Sequence, residues 1–430
     1  MTESLEITPA QAPVRGSIRP PGSKSITNRA LVCAALADGP SVLRGALDSE
    51  DTRVMIAALA ELGIRMAIED NGRTLRVGGC GGVIPAARAE LFVANSGTTM
   101  RFLTAMVAVG RGEFRLDGVA RMRERPMGDL AAAMRALGVD VACEGANECP
   151  PIVVRAAGFR GGRAAIGGAT SSQFLSGLMM AAPYAEADVE LVVEDGLVSV
   201  PYVAMTRRVM EEFGAELAST TDYSEIRVTN QRHYVARDYA IEPDASAASY
   251  FLAAAAITGG AVTIEGLSRN SLQGDVAFAT CLEDMGAIVT FDDDSITVEG
   301  RPLAGIDVDM NAISDTAPTL AVVALFAKGP TRIRNVAHIS HKETDRIAAA
   351  ACELRKLGAG VDEFADGLRI EPVDAAALHG ATIDTYQDHR MAMSFALAGL
   401  RVPRVRINDP GCVGKTYPEF FSDLEKLVRA

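Results

Sequence analysis

The sequence contains no tryptophan, and aromatic residues make up only 5% of its 430 positions. Stacking platforms for bases are built from aromatic side chains, so a single-stranded nucleic-acid partner finds little to stack on. A basic excess is missing too: 42 Lys and Arg face 55 Asp and Glu, a formal net charge of −13. Neutralising a phosphate backbone needs the opposite sign, and no nucleic-acid partner is expected. No uninterrupted apolar run reaches the roughly 18 residues that a spanning helix needs, so no membrane partner is expected. The start, MTESLEITPAQ, is acidic and lacks the apolar stretch of an export signal. The seven cysteines form no CxxC pair and no Cys/His ligand spacing, and read as free thiols in a reducing compartment. These absences predict a soluble cytoplasmic protein.

One further absence concerns residues 20–29, PPGSKSITNR. A glycine, a lysine, hydroxyls and an arginine ahead of an apolar run have the look of a phosphate grip. The second glycine of a P-loop, five positions before a GK pair, is not there. Whatever anion this segment holds, the NTP-binding motif does not supply the explanation.

What is present in abundance is alanine and glycine, which favour closely packed helices, and a repeat. Leu62-Gly63, Leu137-Gly138, Phe213-Gly214, Met285-Gly286 and Leu357-Gly358 each close an amphipathic helical pattern, with the glycines 75, 76, 72 and 72 residues apart. Each sits where a helix C-terminal glycine belongs. A second series of apolar helices starts near Ser25, Gly97, Ser171, Asp244, Asp315 and Asp388, at separations of 72, 74, 73, 71 and 73. Between the two helices of a unit runs one strand, and after most of the closing glycines come two more, as in AIVTFDDDSITVEG. The unit therefore reads helix–strand–helix–strand–strand, six times over. Solenoid repeats are usually 20–50 residues long, so units of about 72 are better grouped three to a domain. At 430 residues two domains are also the prior. The fold class is α/β with two similar lobes.

In this frame the unusual polar clusters fall at helix N-termini. The first helices begin with GSKSITNR, NSGTTMR, TSSQ, PDAS, SDTA and DHR; RMRERP, SVPY, HKETDR and GKTYP precede second helices. Exposed N–H groups and the positive dipole end make each terminus an anion site. A cation placed there is repelled unless an anion justifies it, which gives Lys24, Arg29, Arg101, Arg125, Lys342, Arg346, Arg390 and Lys415 a reason to converge on a polyanionic ligand. Gly97 permits either close approach to a ligand or simply a tight turn. Pro126 suits a first helical position, which puts Arg125 at the helix mouth. Ser171 and Ser172 are capping types, whereas Gln173 adds a donor no cap requires. HKETDR reads either as a salt-bridged helix start or as a ligand cluster. His389 is either a buried structural histidine or an acid/base. Asp315 is either an N-cap or a general base.

PGSKSITNR, NSGTTMR, RERP, SSQF, DASAASYF, SDTAPTL, HKETDR, DHRMA and GKTYPEF, in this order across the chain, resemble the 5-enolpyruvylshikimate-3-phosphate synthase family. The resemblance implies a two-lobed inside-out α/β barrel of six βαβαββ-type repeats, three per lobe. One lobe is then discontinuous (1–22 and 243–430), the other continuous (23–242), and the active site lies in the cleft between them. It also implies transfer of the enolpyruvyl group of phosphoenolpyruvate to the 5-hydroxyl of shikimate 3-phosphate, with no metal or organic cofactor and with glyphosate as an inhibitor; a monomer is expected. Position by position, Lys24, Ser25, Arg29, Ser171, Ser172, Gln173, Ser199, Asp315, His338 and Lys342 would bind shikimate 3-phosphate. Lys24, Gly97, Arg125, Gln173, Arg346, Arg390 and Lys415 would surround phosphoenolpyruvate. Lys24, Asp315 and Glu343 would be catalytic: Asp315 on the hydroxyl proton, Glu343 on the methylene, Lys24 on the bridging phosphate oxygen. Two departures stand out, His338 where some members have asparagine and Phe102 where some have proline. A related transferase that uses UDP-N-acetylglucosamine carries a reactive cysteine five residues before the arginine of its loop motif. Here that position is Ala120, and no cysteine lies between Cys80 and Cys143.

Overall fold

The computed structural model describes residues 4–374 and 376–429. The chain divides into two compact units, Gly22–Glu242 and Met1–Pro21 with Pro243–Ala430. Each is an assembly of helices and small mixed sheets.

The Gly22–Glu242 unit holds six helices: α1 (Lys24–Leu36), α2 (Glu50–Glu61), α3 (Gly97–Val107), α4 (Gly128–Ala136), α5 (Ser172–Ala181) and α6 (Val200–Glu212). The other holds α7 (Ala245–Thr258), α8 (Phe278–Asp284), α9 (Ala317–Val323), α10 (Arg346–Lys356), α11 (His389–Gly399) and α12 (Phe420–Arg429). Odd-numbered helices other than α9 begin at or one residue from the expected starts. All of α3 and all of α11 are buried, as are all but the last residue of α7, ASAASYFLAAAAIT. A helix apolar on every side belongs inside a domain. Small residues let these interior helices touch: a methyl added to Gly177 of α5 would lie 2.9 Å from the Arg101 carbonyl of α3.

The even-numbered helices α2, α4, α6, α8 and α10 end as the glycine series implies. Gly63, Gly138, Gly214, Gly286 and Gly358 have φ of 85°, 86°, 94°, 110° and 100°. After α2 the Gly63 N–H bonds the Ala60 carbonyl and the Ile64 N–H bonds the Leu59 carbonyl. That pair of bonds is the Schellman motif, and the other four helices repeat it.

The sheets add a strand the periodicity did not show. In one, Arg88–Phe92 runs parallel to Arg111–Asp117, which is antiparallel to Ile152–Ala157 and that in turn to Asp140–Cys143. The leading strand and the first helix of the repeat form a parallel crossover, completing a βαβαββ unit. The same order recurs in Gly162–Gly167, Val189–Glu194, Glu225–Val228 and Leu217–Ser219, and in the sheets around Pro40–Arg44, Ala261–Glu265 and Thr331–Arg334. Two leading strands arrive from far along the chain: Asp238–Ala240 pairs with Pro40–Arg44, and Arg15–Ile18 with Ala261–Glu265. In the sixth, three-stranded sheet the antiparallel strand is Ser4–Glu6, against Arg406–Asn408. Chain ends of each unit thus close its own sheets.

Two expected starts are corrected. Asp315 does not begin a helix; it lies in a 3-10 turn, Asn311–Thr316, and α9 begins at Ala317. Pro126 is not a first helical residue, because α4 begins at Gly128 and Arg125 follows a 3-10 turn, Met122–Glu124, with extended backbone. Among the described residues no helix is long and apolar enough to cross a membrane. The φ values give a first test: Gly63→Ala forces a side chain into the left-handed region, at about 1–2 kcal/mol, and presses on Pro85 at 2.8 Å. Urea denaturation should show a loss of at least that size.

Candidate functional site

In the Gly22–Glu242 unit the candidate residues gather at the starts of α1, α3 and α5. Ser23 caps α1, its hydroxyl accepting from the Ile26 N–H at 3.4 Å. That places Lys24 and Ser25 in the first turn and Arg29 one turn further. Lys24 Nζ lies 3.4 Å from the Asp51 carboxylate, both largely buried. Arg29 is buried to 1% exposure and is held by neutral acceptors: Nε donates to Thr206 Oγ1 (2.7 Å), Nη1 to the Ser25 carbonyl (2.9 Å) and Nη2 to the Tyr202 carbonyl (3.1 Å). Its guanidinium also sits over the Phe102 ring at 5.1 Å, which is what the phenylalanine departure provides. Burial pulls the Arg29 pKa down to about 10.

Gly97 opens α3 behind its cap Ser96 and does not have positive φ. A tight turn therefore does not explain it. A methyl there would collide with the Arg125 guanidinium and lie 2.6 Å from Arg101 Nη1. The glycine is the floor on which two guanidinium groups rest. Arg125, 3% exposed, donates to the Asn95 carbonyl at 3.3 Å. Its neighbours in RMRER pair on the surface instead, Arg121 with Glu124 and Arg123 with Asp117. Arg101 donates to Gln173 Oε1 at 2.8 Å, tying the start of α3 to that of α5. Ser171 caps α5 through the Gln173 N–H at 3.3 Å, and Ser172 is its buried first residue. Ser199, at the start of α6, holds φ 54° and ψ 45°. A buried serine in the left-handed region is an outlier of the kind that collects at functional sites.

In the other unit the candidates form one ion network, made where the starts of α9, α10 and α11 meet. Asp345 caps α10 by accepting from the Ile347 and Ala348 N–H groups, which leaves Lys342 and Glu343 ahead of the helix and Arg346 as its first residue. Arg346 is 2% exposed. It donates from Nε to Asp388 Oδ2 (2.8 Å), from Nη1 to Asp315 Oδ1 (3.0 Å), and from Nη2 to Glu343 Oε2 (2.8 Å) and Asp388 Oδ1 (3.3 Å). Burial opposes its charge, but the carboxylates of Asp388, Glu343 and Asp315 outweigh burial and hold its pKa above the ordinary value. Arg390 donates to Asp315 Oδ2 at 2.6 Å and reaches the Tyr250 hydroxyl at 3.4 Å. Lys342 Nζ stands 3.6 Å from Asp315, and Lys415 Nζ 3.4 Å from Glu343. Asp315 thus faces three cations and is no N-cap; α9 is preceded by Thr316, with no side-chain cap. Asp388 caps α11 through the Arg390 N–H at 2.9 Å, and His389 beside it is fully buried.

His338 occupies the 3-10 turn Ala337–His341 and bonds Ser314 Oγ through Nε2 at 2.8 Å. Burial, and then the Lys342 charge, push its pKa down to about 3, with Asp315 pulling the other way. It is neutral at pH 7. Asp51, Asn95, Tyr202 and Tyr250 belong to these clusters but carry no signal in a sequence pattern, since each is joined to its partner only by folding.

Repeats of βαβαββ topology, with buried cations gathered at helix starts, make this a repeat protein of the α/β class. The comparisons with known proteins specify the family. The model of the EPSP synthase (3-phosphoshikimate 1-carboxyvinyltransferase) family matches residues 8–424. The 3-phosphoshikimate 1-carboxyvinyltransferase of Nostoc punctiforme is 48% identical over 427 residues, covering 99% of both chains. The chloroplastic protein of that name from Arabidopsis thaliana is 47% identical over 433 residues, covering 97% of this chain and 83% of its own. The structure of EPSP synthase from Acinetobacter baumannii superposes with a TM-score of 0.83 at 26% identity, covering 99% and 98%. The chain belongs to the EPSP synthase family.

Neutral His338 makes stability depend on pH. Its pKa is lower folded than unfolded, so its contribution is full above about 6.5 and drains away as pH falls toward 3. His338→Asn should therefore lose less stability than the parent between pH 7 and pH 4.5, measured as the urea midpoint. An identical acid-side slope would mean that His338 is not held neutral.

Proposed function

We infer that this chain transfers the enolpyruvyl group of phosphoenolpyruvate to the 5-hydroxyl of shikimate 3-phosphate, releasing phosphate, in aromatic amino-acid biosynthesis. Family membership over residues 8–424 carries the reaction. For the roles of individual residues, the supporting observation is the Asp315 carboxylate, fixed by Arg346, Arg390 and Lys342 at the meeting of three helix starts.

The chemistry uses this arrangement as follows. The donor brings a carboxylate and a phosphate, which arginines grip in bidentate fashion; Arg125, Arg346, Arg390, Lys24 and Lys415, with Gln173 and the Gly97 floor, are assigned to it. Shikimate 3-phosphate falls to Ser25, Arg29, Ser171, Ser172, Gln173, Ser199, Asp315, His338 and Lys342, with Lys24. Arg29 is enclosed by protein acceptors, so its contribution runs through the backbone of α1 and Tyr202 in the observed conformation. Asp315 takes the 5-hydroxyl proton as that oxygen bonds the central carbon of the donor. The methylene carbon gains a proton through Glu343, which lies between Arg346 and Lys415. The tetrahedral adduct then loses the methyl proton and breaks its carbon–phosphate oxygen bond, and the protonation of the departing oxygen is assigned to Lys24. We read each unit as an inside-out α/β lobe of three repeats, with interior helices and outer sheets.

Phosphate release with both substrates present tests the reaction; turnover with UDP-N-acetylglucosamine instead of shikimate 3-phosphate would favour the related transferase. Asp315→Ala should lower kcat by roughly 10²–10⁴-fold, the usual worth of a positioned acid/base, and near-normal kcat excludes it as the base. Gly97→Ala should raise KM for phosphoenolpyruvate about tenfold, corresponding to the ~1–3 kcal/mol of overpacking. The backbone is not strained there, so the melting midpoint of Gly97→Ala should stay close to that of the parent.

A further inference from the structure

Behind the ion network lies a second buried cluster that the reaction does not use. Glu353 stands two helical turns along α10 from Arg346, on the same side of the helix. Its carboxylate has no solvent exposure. It accepts from Tyr386 Oη at 2.6 Å, from the Asp384 backbone N–H at 3.1 Å and from Lys356 Nζ at 2.9 Å. Lys356 also bridges to Asp384 at 2.8 Å, and Asp384 accepts from Asn408 Nδ2 at 2.8 Å.

These bonds all hold one segment, 384–387, and that segment is strained. Tyr386 and Gln387 have φ of 55° and 56°. Neither is glycine, and two consecutive side-chain-bearing residues in the left-handed region persist only where the surroundings impose it. The next residue is Asp388, whose N–H closes the turn on the Thr385 carbonyl at 2.8 Å. Its carboxylate caps α11 and receives two bonds from Arg346. Arg390 follows two residues later. Any relaxation of the strained turn moves Asp388, and with it both arginines.

We propose that Glu353, through Tyr386 and the Asp384 backbone, is a positioning residue that holds the 384–388 turn so that Asp388 fixes Arg346 and Arg390 in register for the anionic donor. Nothing in its surroundings brings Glu353 to a reacting atom. Its carboxylate instead ties the far end of α10 to the start of α11, so the two arginines are set from both directions. This rests on the assignment of Arg346 and Arg390 to phosphoenolpyruvate.

Two mild variants test it. Tyr386→Phe removes one hydroxyl from a residue that is 40% exposed, and Glu353→Gln keeps an acceptor while removing the charge. Both should raise KM for phosphoenolpyruvate three- to tenfold and leave KM for shikimate 3-phosphate within twofold. Replacing Gln387 by glycine in the Tyr386→Phe background relieves the left-handed strain and should recover at least half of the lost donor affinity. A fall in melting temperature with both KM values unchanged would overturn the proposal, since the cluster would then only stabilise the fold. Arg390→Lys, measured alongside, separates the underlying assignment: if it raises the donor KM while Tyr386→Phe does not, the positioning role fails and the assignment stands. If neither variant moves the donor KM, both fail.

Discussion

A guanidinium at 2% exposure keeps its charge only if acceptors replace the water it has lost, and Arg346 has four hydrogen bonds to three carboxylates. Taking an ion out of water costs several kcal/mol, and removing one partner of a buried pair typically costs about 3–5. The carboxylates come from three places in the chain: the turn before α9, the approach to α10 and the cap of α11. Satisfying one cation thus fixes three helix starts relative to one another. Arg390, Lys342 and Lys415 then attach to carboxylates already held in place. Among the described residues these ion pairs join four cations to three carboxylates, a balance that suits the anionic donor of the proposed function.

The Gly22–Glu242 unit solves the same problem differently. Arg29 is as deeply buried as Arg346, yet hydroxyl and carbonyl oxygens and the faces of Phe102 and Tyr202 surround it. Neutral dipoles compensate burial less fully than carboxylates do, and the opposite pKa directions of the two arginines follow from that difference. Beside it, Arg101 and Arg125 crowd onto Gly97, with Gln173 accepting from one of them. Bringing like charges together is unfavourable by itself, and under the proposed function the anionic donor would offset it.

Much of the architecture was legible because helix ends carry local chemistry. A glycine at a left-handed C-terminal position and a Ser or Asp cap are requirements of the helix itself, so they recur with the repeat and reveal its period. The leading strands escaped notice for a physical reason. DYA, DVD and TI are too short to show alternation, and they become strands only by pairing in parallel with a partner elsewhere in the chain. Pro126 and Asp315 misled for a related reason: residue preferences at a helix start describe an average helix, whereas here Asp315 lies in a 3-10 turn and Pro126 in the link between a 3-10 turn and α4.

The sequence by itself determined the repeat, the helix ends and the identity of the charged residues at those ends, since each depends on neighbours within a few positions. It also carried the family resemblance, because nine motifs in order do not require coordinates. Only the tertiary structure decided who pairs with whom. That Asp388 serves Arg346, that Asp51 faces Lys24, that Gly97 underlies two arginines, and that Glu353 holds a strained turn 33 residues away at Tyr386 are matters of distance between segments remote in sequence. Coulomb attraction and hydrogen bonding act over a few ångströms of space, and no spacing along the chain encodes them.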